Sequence, residues 1–438
     1  MAGRPERCVL VGVDLRQPGP GEDFVGDYTA EESLEELAEL AEGAGAEVLG
    51  QTIQARDRAE PATLIGSGKV DEVKAWAAAV DADFVLFDNP LTPTQQRNLE
   101  KALDRRTIDR TQLILDIFAR HARTREGQLQ VELAQLSYLL PRLTGRGIAL
   151  SRLGGGIGTR GPGETKLETD RRRISIRIDK LKADLERVRS TRDLQRKKRT
   201  AVPLSTVALA GYTNAGKSTL FNALTAAHVL ADKKMFATLD PTIRTLELPS
   251  RRRVLLSDTV GFIRKLPTAL VQAFRATLEE VTQAAMILHV VDLSSPHRRE
   301  QMREVDRILG ELDAADKAQL LVLNKADLVE PDLAAAAVEA ERMAGGRAAV
   351  VSISAARGLG LPELAAAIEA ALPDDPLAQE RYLIPHDAGD KLHFLYENAR
   401  VLEREDGEDG VRLLVEASQS VRRRLEAFAV PEPASSTR

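Results

Sequence analysis

The sequence has little of what marks secreted, disulfide-rich or membrane-spanning proteins. Its 438 residues include one cysteine, Cys8, which excludes an intramolecular disulfide and favours a reducing compartment. No apolar run approaches a membrane span, and the run Cys8–Val13 is too short for a secretory signal. Aromatic residues make up only 4% of the chain, so its cores should be aliphatic. We therefore expect a cytoplasmic protein without integral membrane contact; a peripherally membrane-associated fraction stays open. We also expect the chain to be a monomer.

Charge is unevenly distributed along the chain. The net charge is −5, yet residues 121–200 hold 20 basic residues against 9 acidic ones. A basic segment within an acidic chain predicts an anionic partner at one place. A solvated charged helix would explain the same block.

Residues 1–120 alternate short apolar runs with amphipathic stretches. We predict strands at 8–15, 48–53 and 84–87, with helices at 31–41 and 70–80. This alternation predicts a small parallel α/β domain. Within it, Gly66-Ser67-Gly68-Lys69 is similar to part of a phosphate-binding loop. It lacks the first glycine and the hydroxyl residue, so we interpret it as a tight turn before the helix.

Residues 121–200 have the pattern of an antiparallel helical hairpin. Leucines between 129 and 140 share one face of a helix that Pro141 ends, and 174–188 repeat as a heptad seam. The connection, 144–163, contains eight glycines, no acidic residue and several arginines. Glycine and arginine suit contact with a phosphate backbone, although a flexible linker has the same composition. The candidate RNA contacts are Arg146, Arg152, Arg160, Arg171, Arg172 and Arg173.

Residues 201–373 alternate strands and helices again, and 374–438 form a smaller module. Strands are predicted at 206–210, 253–257, 286–291, 319–323 and 348–353, with helices at 217–227, 268–283, 298–312, 333–344 and 361–372. This pattern predicts a doubly wound sheet with its ligand at the carboxyl ends of the strands. Apolar runs around an acidic glycine turn at 406–410 predict a hairpin in the last, α+β module.

One stretch between a predicted strand and helix matches the phosphate-loop pattern G-x-x-x-x-G-K-[ST] in full. It comprises Gly211, Tyr212, Thr213, Asn214, Ala215, Gly216, Lys217 and Ser218. Here the glycines let the backbone curl around a phosphate, the lysine reaches the β- and γ-phosphates, and the serine ligates Mg²⁺. The sequence therefore predicts a P-loop nucleotide site.

Four further segments complete the predicted site. They are Phe236, Ala237, Thr238, Leu239 and Asp240; Asp258, Thr259, Val260 and Gly261; Asn324, Lys325, Ala326 and Asp327; and Ser354, Ala355 and Ala356. Asp327 would accept from two N–H groups of guanine, a donor pair that adenine lacks, so the nucleotides are GTP and GDP. The predicted Mg²⁺ ligands are Ser218, Thr238 and, through water, Asp258.

Two positions bear on hydrolysis. Phe262 stands where many GTPases have a water-orienting glutamine, which predicts a slow intrinsic rate that a partner accelerates. We assign no general base; Lys217, Thr238 and Gly261 are the candidate phosphate and transition-state contacts. In cation-activated GTPases an asparagine placed like Asn214 helps to hold K⁺, while a turn-forming asparagine is the alternative.

These motifs closely resemble those of the HflX family of GTPases. The matching segments are 61–70, 151–170, 211–218, 236–242 and 258–262. The resemblance implies a low-rate GTPase that binds the large (50S) ribosomal subunit and its RNA, splits or rescues ribosomes under stress, and acts in ribosome biogenesis. Two rivals stay open: a switch that docks on a protein or membrane surface, and an RNA-remodelling ATPase that uses residues 1–120.

Overall fold

The computed structural model describes most of the chain as two compact units. One comprises Met1–Ser190 with Thr206–Glu369, and the other Thr191–Ser205 with Ala370–Arg438. The described residues are 4–16, 29–145, 162–199, 204–225, 242–249, 252–265, 280–372 and 377–430. No helix in these ranges is long and apolar enough to cross a membrane.

The chain begins with a parallel α/β sheet, as its alternating pattern predicts. Its elements are β1 (Arg7–Leu15), α1 (Ala30–Gly43), β2 (Glu47–Arg56), α2 (Ser67–Ala79), β3 (Phe84–Phe87), α3 (Pro93–Leu103), β4 (Arg106–Asp109) and α4 (Arg110–His121). The described strands lie in the order β2-β1-β3-β4, and all three pairings are parallel. We did not predict α3, β4 or α4. The first two are short and mostly polar, and α3 is fixed instead by a capping box between Thr92 and Gln95.

The segment Gly66–Lys69 is the beginning of a helix. Gly66 is the N-cap residue and α2 starts at Ser67. Our interpretation of this segment as a tight turn before the helix was therefore wrong, because it forms the first turn of the helix itself. The Lys69 ammonium is paired with the Glu72 carboxylate at 2.6 Å, one helical turn further on. A cation engaged in this way accounts for the lysine without a phosphate ligand.

Two helices form the predicted hairpin. Helix α5 (Arg125–Leu139) passes into a 3₁₀ segment, Leu140–Gly145, and α6 (Pro162–Arg199) follows. Their apolar faces share Leu129, Leu133, Leu136, Leu181, Leu185 and Val188. Both carboxylate oxygens of Glu132 accept from Arg177 at 2.7 Å, which fixes the register of the two helices. The connection at 146–161 lies outside the described residues.

The second sheet of the larger unit is doubly wound. Its elements are β5 (Thr206–Gly211), α7 (Lys217–Thr225), β6 (Thr242–Glu247), β7 (Arg253–Asp258), β8 (Met286–Asp292), α8 (Arg298–Glu311), β9 (Ala318–Asn324), α9 (Pro331–Ala344), β10 (Ala349–Ser352) and α10 (Leu361–Ala371). The strand order is β10-β9-β8-β5-β7-β6 over the described ranges. We missed β6, an antiparallel edge strand whose alternating polar residues give no apolar run. The predicted helix 268–283 lies mostly outside the described residues.

The smaller unit has an antiparallel sheet. It contains β11 (Leu377–Ile384), α11 (Gly389–Asn398), β12 (Arg400–Gly407), β13 (Gly410–Ser418), α12 (Gln419–Arg424) and β14 (Ala429–Val430). The strands lie in the order β12-β13-β11-β14, and β12 pairs with β13 in the hairpin that the sequence predicts. The overall fold class is thus as expected.

Candidate nucleotide-binding site

The P-loop connects the buried strand β5 to α7, and its two pattern glycines have no room for a side chain. A Cβ on Gly211 would lie 2.2 Å from the carbonyl oxygen of Val290. A Cβ on Gly216 would lie 2.2 Å from the Asn324 amide nitrogen, and φ at Gly216 is +91°. The loop is therefore packed against the carboxyl ends of β8 and β9, where doubly wound sheets bind ligands.

Lys217 begins α7 and its ammonium group turns back across the loop. Its Nζ donates to the carbonyl oxygens of Gly211 at 3.0 Å and Tyr212 at 2.7 Å. Burial lowers the pKa of Lys217 to about 8, and the nearby Asp258 carboxylate opposes that shift. A buried cation at a helix N-terminus, enclosed by a glycine loop, forms a phosphate-binding arrangement.

The oxygens proposed for Mg²⁺ lie next to each other. The Ser218 hydroxyl donates to Asp258 Oδ2 at 2.8 Å, and Asp258 is fully buried at the end of β7. Such hard oxygen atoms are the ligands that Mg²⁺ prefers, so these two residues fit the ion. Thr238, the third predicted ligand, lies outside the described residues with Phe236, Ala237, Leu239 and Asp240.

The segment after β7 lies directly against the P-loop. A Cβ on Gly261 would be 2.9 Å from Lys217 Nζ, so its backbone lies close to the Lys217 ammonium group. The Phe262 backbone N–H donates to the Gly211 carbonyl at 3.1 Å, and Thr213 N–H donates to the Phe262 carbonyl at 2.8 Å. Two main-chain hydrogen bonds thus attach this segment to the loop.

Phe262 has a structural role that our sequence reading missed. Its side chain is 2% exposed and belongs to the same core cluster as Tyr212 and Ile263. In the sequence we noted only that Phe262 replaces a glutamine. The apolar residues Val260, Phe262 and Ile263 around Gly261 were a signal that the ring is buried. Truncating this ring would create a cavity, so we expect Phe262→Ala to lower the stability of the fold. A change in hydrolysis in this variant could therefore follow from the loss of stability.

Asn324 connects three segments of the predicted guanine site. Its Nδ2 donates to the Ala215 carbonyl at 2.8 Å, and its Oδ1 accepts from Ala355 N–H at 3.0 Å. Ser354, which precedes Ala355 in the chain, is fully buried. The amide therefore fixes the P-loop and the Ser354–Ala356 loop relative to each other.

Lys325 and Asp327 extend from the same turn. Lys325 has a positive φ of 63°, and its ammonium contacts Asp292 at 2.6 Å, a partner that we did not predict. Asp292 ends β8, so its position at a strand end was the available signal. The Asp327 carboxylate is 21% exposed and 3.9 Å from Arg357 Nε, which leaves it accessible to a base.

The remaining predicted residues divide by location. Asn214 is exposed and has φ +61°, the left-handed conformation that turn-forming asparagines adopt. Arg171, Arg172 and Arg173 are exposed on α6, and Arg173 lies 3.6 Å from Asp170. Arg146, Arg152 and Arg160 lie outside the described residues.

Replacing Gly216 should disable the loop. The alanine methyl group would overlap the Asn324 amide, and the left-handed backbone costs a non-glycine residue about 1–2 kcal/mol. We expect guanine-nucleotide affinity to fall at least about 10-fold in Gly216→Ala, measured by titration with a fluorescent GDP. Gly310→Ala is the matched control, since a Cβ there would meet nothing within 4 Å beyond the backbone of its own helix. Normal affinity in Gly216→Ala would contradict the packing described.

The whole chain is similar to known proteins. It matches four family models: "GTP-binding GTPase N-terminal" (31–119), "GTP-binding GTPase Middle Region" (121–199), "50S ribosome-binding GTPase" (206–325) and "HflX C-terminal domain" (339–433). A protein named GTPase HflX from Caldanaerobacter subterraneus is 47% identical over 98% of this chain and 95% of its own length. The Escherichia coli GTPase HflX is 44% identical, with 91% and 90% covered. A crystal structure of a Sulfolobus solfataricus GTP-binding protein with GDP matches with a TM-score of 0.44 and 23% identity, covering 84% of this chain and 98% of that one.

Proposed function

Since the chain belongs to the HflX family and is a GTP-hydrolysing enzyme, we propose that it acts on ribosomes by binding the large subunit. The observation that carries this proposal is the match of 206–325 to a 50S ribosome-binding GTPase model, the segment that contains the P-loop. Splitting or rescue of ribosomes under stress is the proposed outcome, with a further role in ribosome biogenesis.

The chain's own residues account for nucleotide binding in this proposal. Lys217 and the backbone N–H groups of the P-loop hold the phosphates, while Gly261 lies where its N–H can reach the γ-phosphate. Asn324 keeps the loops together and Asp327 reads guanine. Ser218, Thr238 and Asp258 would hold Mg²⁺, which neutralises charge that develops on the phosphates.

We propose four domains, at 1–120, 121–200, 201–373 and 374–438, and we assign the contacts with ribosomal RNA to the second of them. The hairpin 121–200 presents Arg171, Arg172 and Arg173 to solvent, and the same segment of the sequence carries Arg146, Arg152 and Arg160. Exposed arginines suit the phosphates of ribosomal RNA. We expect hydrolysis to be slow in the isolated protein, because Phe262 is buried and its phenyl ring has no polar group that could orient water.

The test compares GTP turnover by the full chain alone, with purified large subunits and with small subunits. We expect large subunits to stimulate turnover more than about 10-fold, because docking would supply a water-orienting group at the position where this chain has Phe262. Equal turnover in all three conditions would refute ribosome-stimulated hydrolysis. Stimulation by anionic vesicles instead would favour a membrane-docked switch.

A K⁺ ion beside Asn214 is part of the same proposal. Asn214 is exposed at the mouth of the loop, where an amide oxygen could ligate a monovalent cation near the phosphates. Turnover should then be higher in K⁺ than in Na⁺ at equal ionic strength, and Asn214→Gly should abolish the difference. Glycine can adopt the same left-handed backbone conformation, so this variant removes the amide that would ligate K⁺ without disturbing the turn.

A further inference from the structure

A partly buried ionic cluster lies between the N-terminal sheet and the nucleotide loops. We call it the junction cluster: Glu36, Asp88, Arg110 and Lys265. Arg110 is 2% exposed, and it donates from Nε to Asp88 Oδ1 at 2.8 Å and from Nη1 to Glu36 Oε2 at 2.7 Å. Two carboxylates and two cations balance, as the burial of Asp88 and Arg110 requires.

The cluster occupies the ligand-binding edge of the first sheet. Asp88 directly follows β3 and Arg110 directly follows β4, so both lie at the carboxyl ends of parallel strands. At this edge the carboxylate of Asp88 binds the ammonium group of Lys265, a residue that follows the Asp258–Gly261 motif. Its ammonium contacts Asp88 and lies 3.2 Å from Ser33 Oγ.

Removing Lys265 would leave the cluster with an excess negative charge. Burial alone would raise the pKa of Asp88, but Arg110 and Lys265 outweigh burial and hold it at about 2. The carboxylate therefore stays ionised and depends on both cations. Lys265 in turn has φ +55°, which a non-glycine residue adopts only where its surroundings impose it.

A second contact connects the cluster to the P-loop. The Tyr212 hydroxyl donates to Glu36 and accepts from the backbone N–H of Arg264 at 3.0 Å. Tyr212 is 4% exposed, so its ring is fixed by packing. One phenol thus joins α1, the P-loop and the segment that follows Gly261.

These contacts reach the place where GTP and GDP differ. We call Asp258–Lys265 the switch segment. Its Gly261 backbone lies against Lys217, the cation that would meet the γ-phosphate. GDP has no γ-phosphate and gains nothing from this placement. If the segment is already held in this position before GTP binds, the free energy of ordering it does not weaken GTP binding.

We propose that the junction cluster positions the switch segment for the γ-phosphate, so that contacts from the N-terminal domain make the site prefer GTP to GDP. This inference rests on the proposed nucleotide site. By linkage, GTP binding strengthens the contact between Lys265 and Asp88 by the same factor. The residues concerned are positioning residues, since none touches the phosphates through its junction contact.

The test is Lys265→Met in the full chain, with dissociation constants measured for GDP and for a non-hydrolysable GTP analogue. Methionine keeps most of the unbranched side chain and removes its charge. We expect the preference for the GTP analogue over GDP to fall at least about 5-fold, while GDP affinity stays within about 2-fold of wild type. Lys265→Arg, which retains the cation, should restore the preference.

Controls separate this inference from general damage. Lys391→Met removes an ammonium whose side chain is equally exposed, at 35%, and which pairs with Asp390 at 2.6 Å; it should change nothing. Tyr212→Phe removes only the hydroxyl, with its contacts to Glu36 and to the Arg264 backbone N–H, and should lower the preference as well. An unchanged preference in Lys265→Met, or an equal loss for both nucleotides, would overturn the inference. Absence of GDP binding in the wild-type chain would instead refute the proposed site.

Discussion

Asp327→Asn should change the nucleotide preference from guanine to xanthine. The amide offers a donor where guanine needs an acceptor, and xanthine has a carbonyl at the position of the guanine amine. Hydrogen bonds to a charged group contribute about 1.5–3 kcal/mol each, so GTP affinity should fall by roughly one to three orders of magnitude. Titration with GTP and xanthosine triphosphate measures both changes.

A nearby acidic residue supplies the control for this variant. Asp332→Asn makes the same chemical change at an exposed position in the first turn of α9. It should bind GTP as the wild type does. Unchanged GTP affinity in Asp327→Asn would remove Asp327 from the site, whereas weak binding of both nucleotides would indicate a disrupted turn.

Replacing Gly145–Gly163 with a short turn should separate nucleotide binding from ribosome binding. The replaced segment lies outside every nucleotide motif, so GTP affinity and intrinsic hydrolysis should survive. Arg146, Arg152 and Arg160 would be lost with the loop. Binding to large subunits should weaken, and stimulation of hydrolysis and subunit splitting should fall with it.

The salt dependence of subunit binding identifies the cause. If each of the three arginines neutralises one phosphate, changing them to alanine should reduce the slope of log affinity against log salt by about 2 to 3. Arg381, Arg400 and Arg404, exposed in the smaller unit, provide a variant with the same loss of charge. Full stimulation and splitting after the loop replacement would reduce the loop to a linker.

The described segments of the proposed nucleotide site were easier to locate from the sequence than the elements around them. The P-loop and the motifs after β7, β9 and β10 are local patterns, because each is a run of residues at a strand end. The strand β4 and the edge strand β6 escaped prediction because neither carries an apolar run. Pattern reading depends on such runs, and short or half-exposed strands form through their neighbours.

The contacts between the two sheets could not be predicted from sequence. Glu36 and Arg110 are far apart in the chain and look like ordinary surface charges in their helices. Only the fold brings them to the end of β3 beside Asp88, and only there does the half-exposed Lys265 find a buried partner in Asp88. Long-range ion pairs have no local signal, which is why this cluster is visible only in three dimensions.

The central claim is that the GTP-bound protein binds the large ribosomal subunit, and co-sedimentation tests it most directly. Purified large subunits are centrifuged with the full chain under a non-hydrolysable GTP analogue, under GDP and without nucleotide. We expect the protein to pellet with the subunits under the GTP analogue and to remain largely in the supernatant under GDP. Asp327→Asn should pellet under a xanthosine triphosphate analogue instead. Equal sedimentation under GTP analogue and GDP, or none under either, would contradict the account.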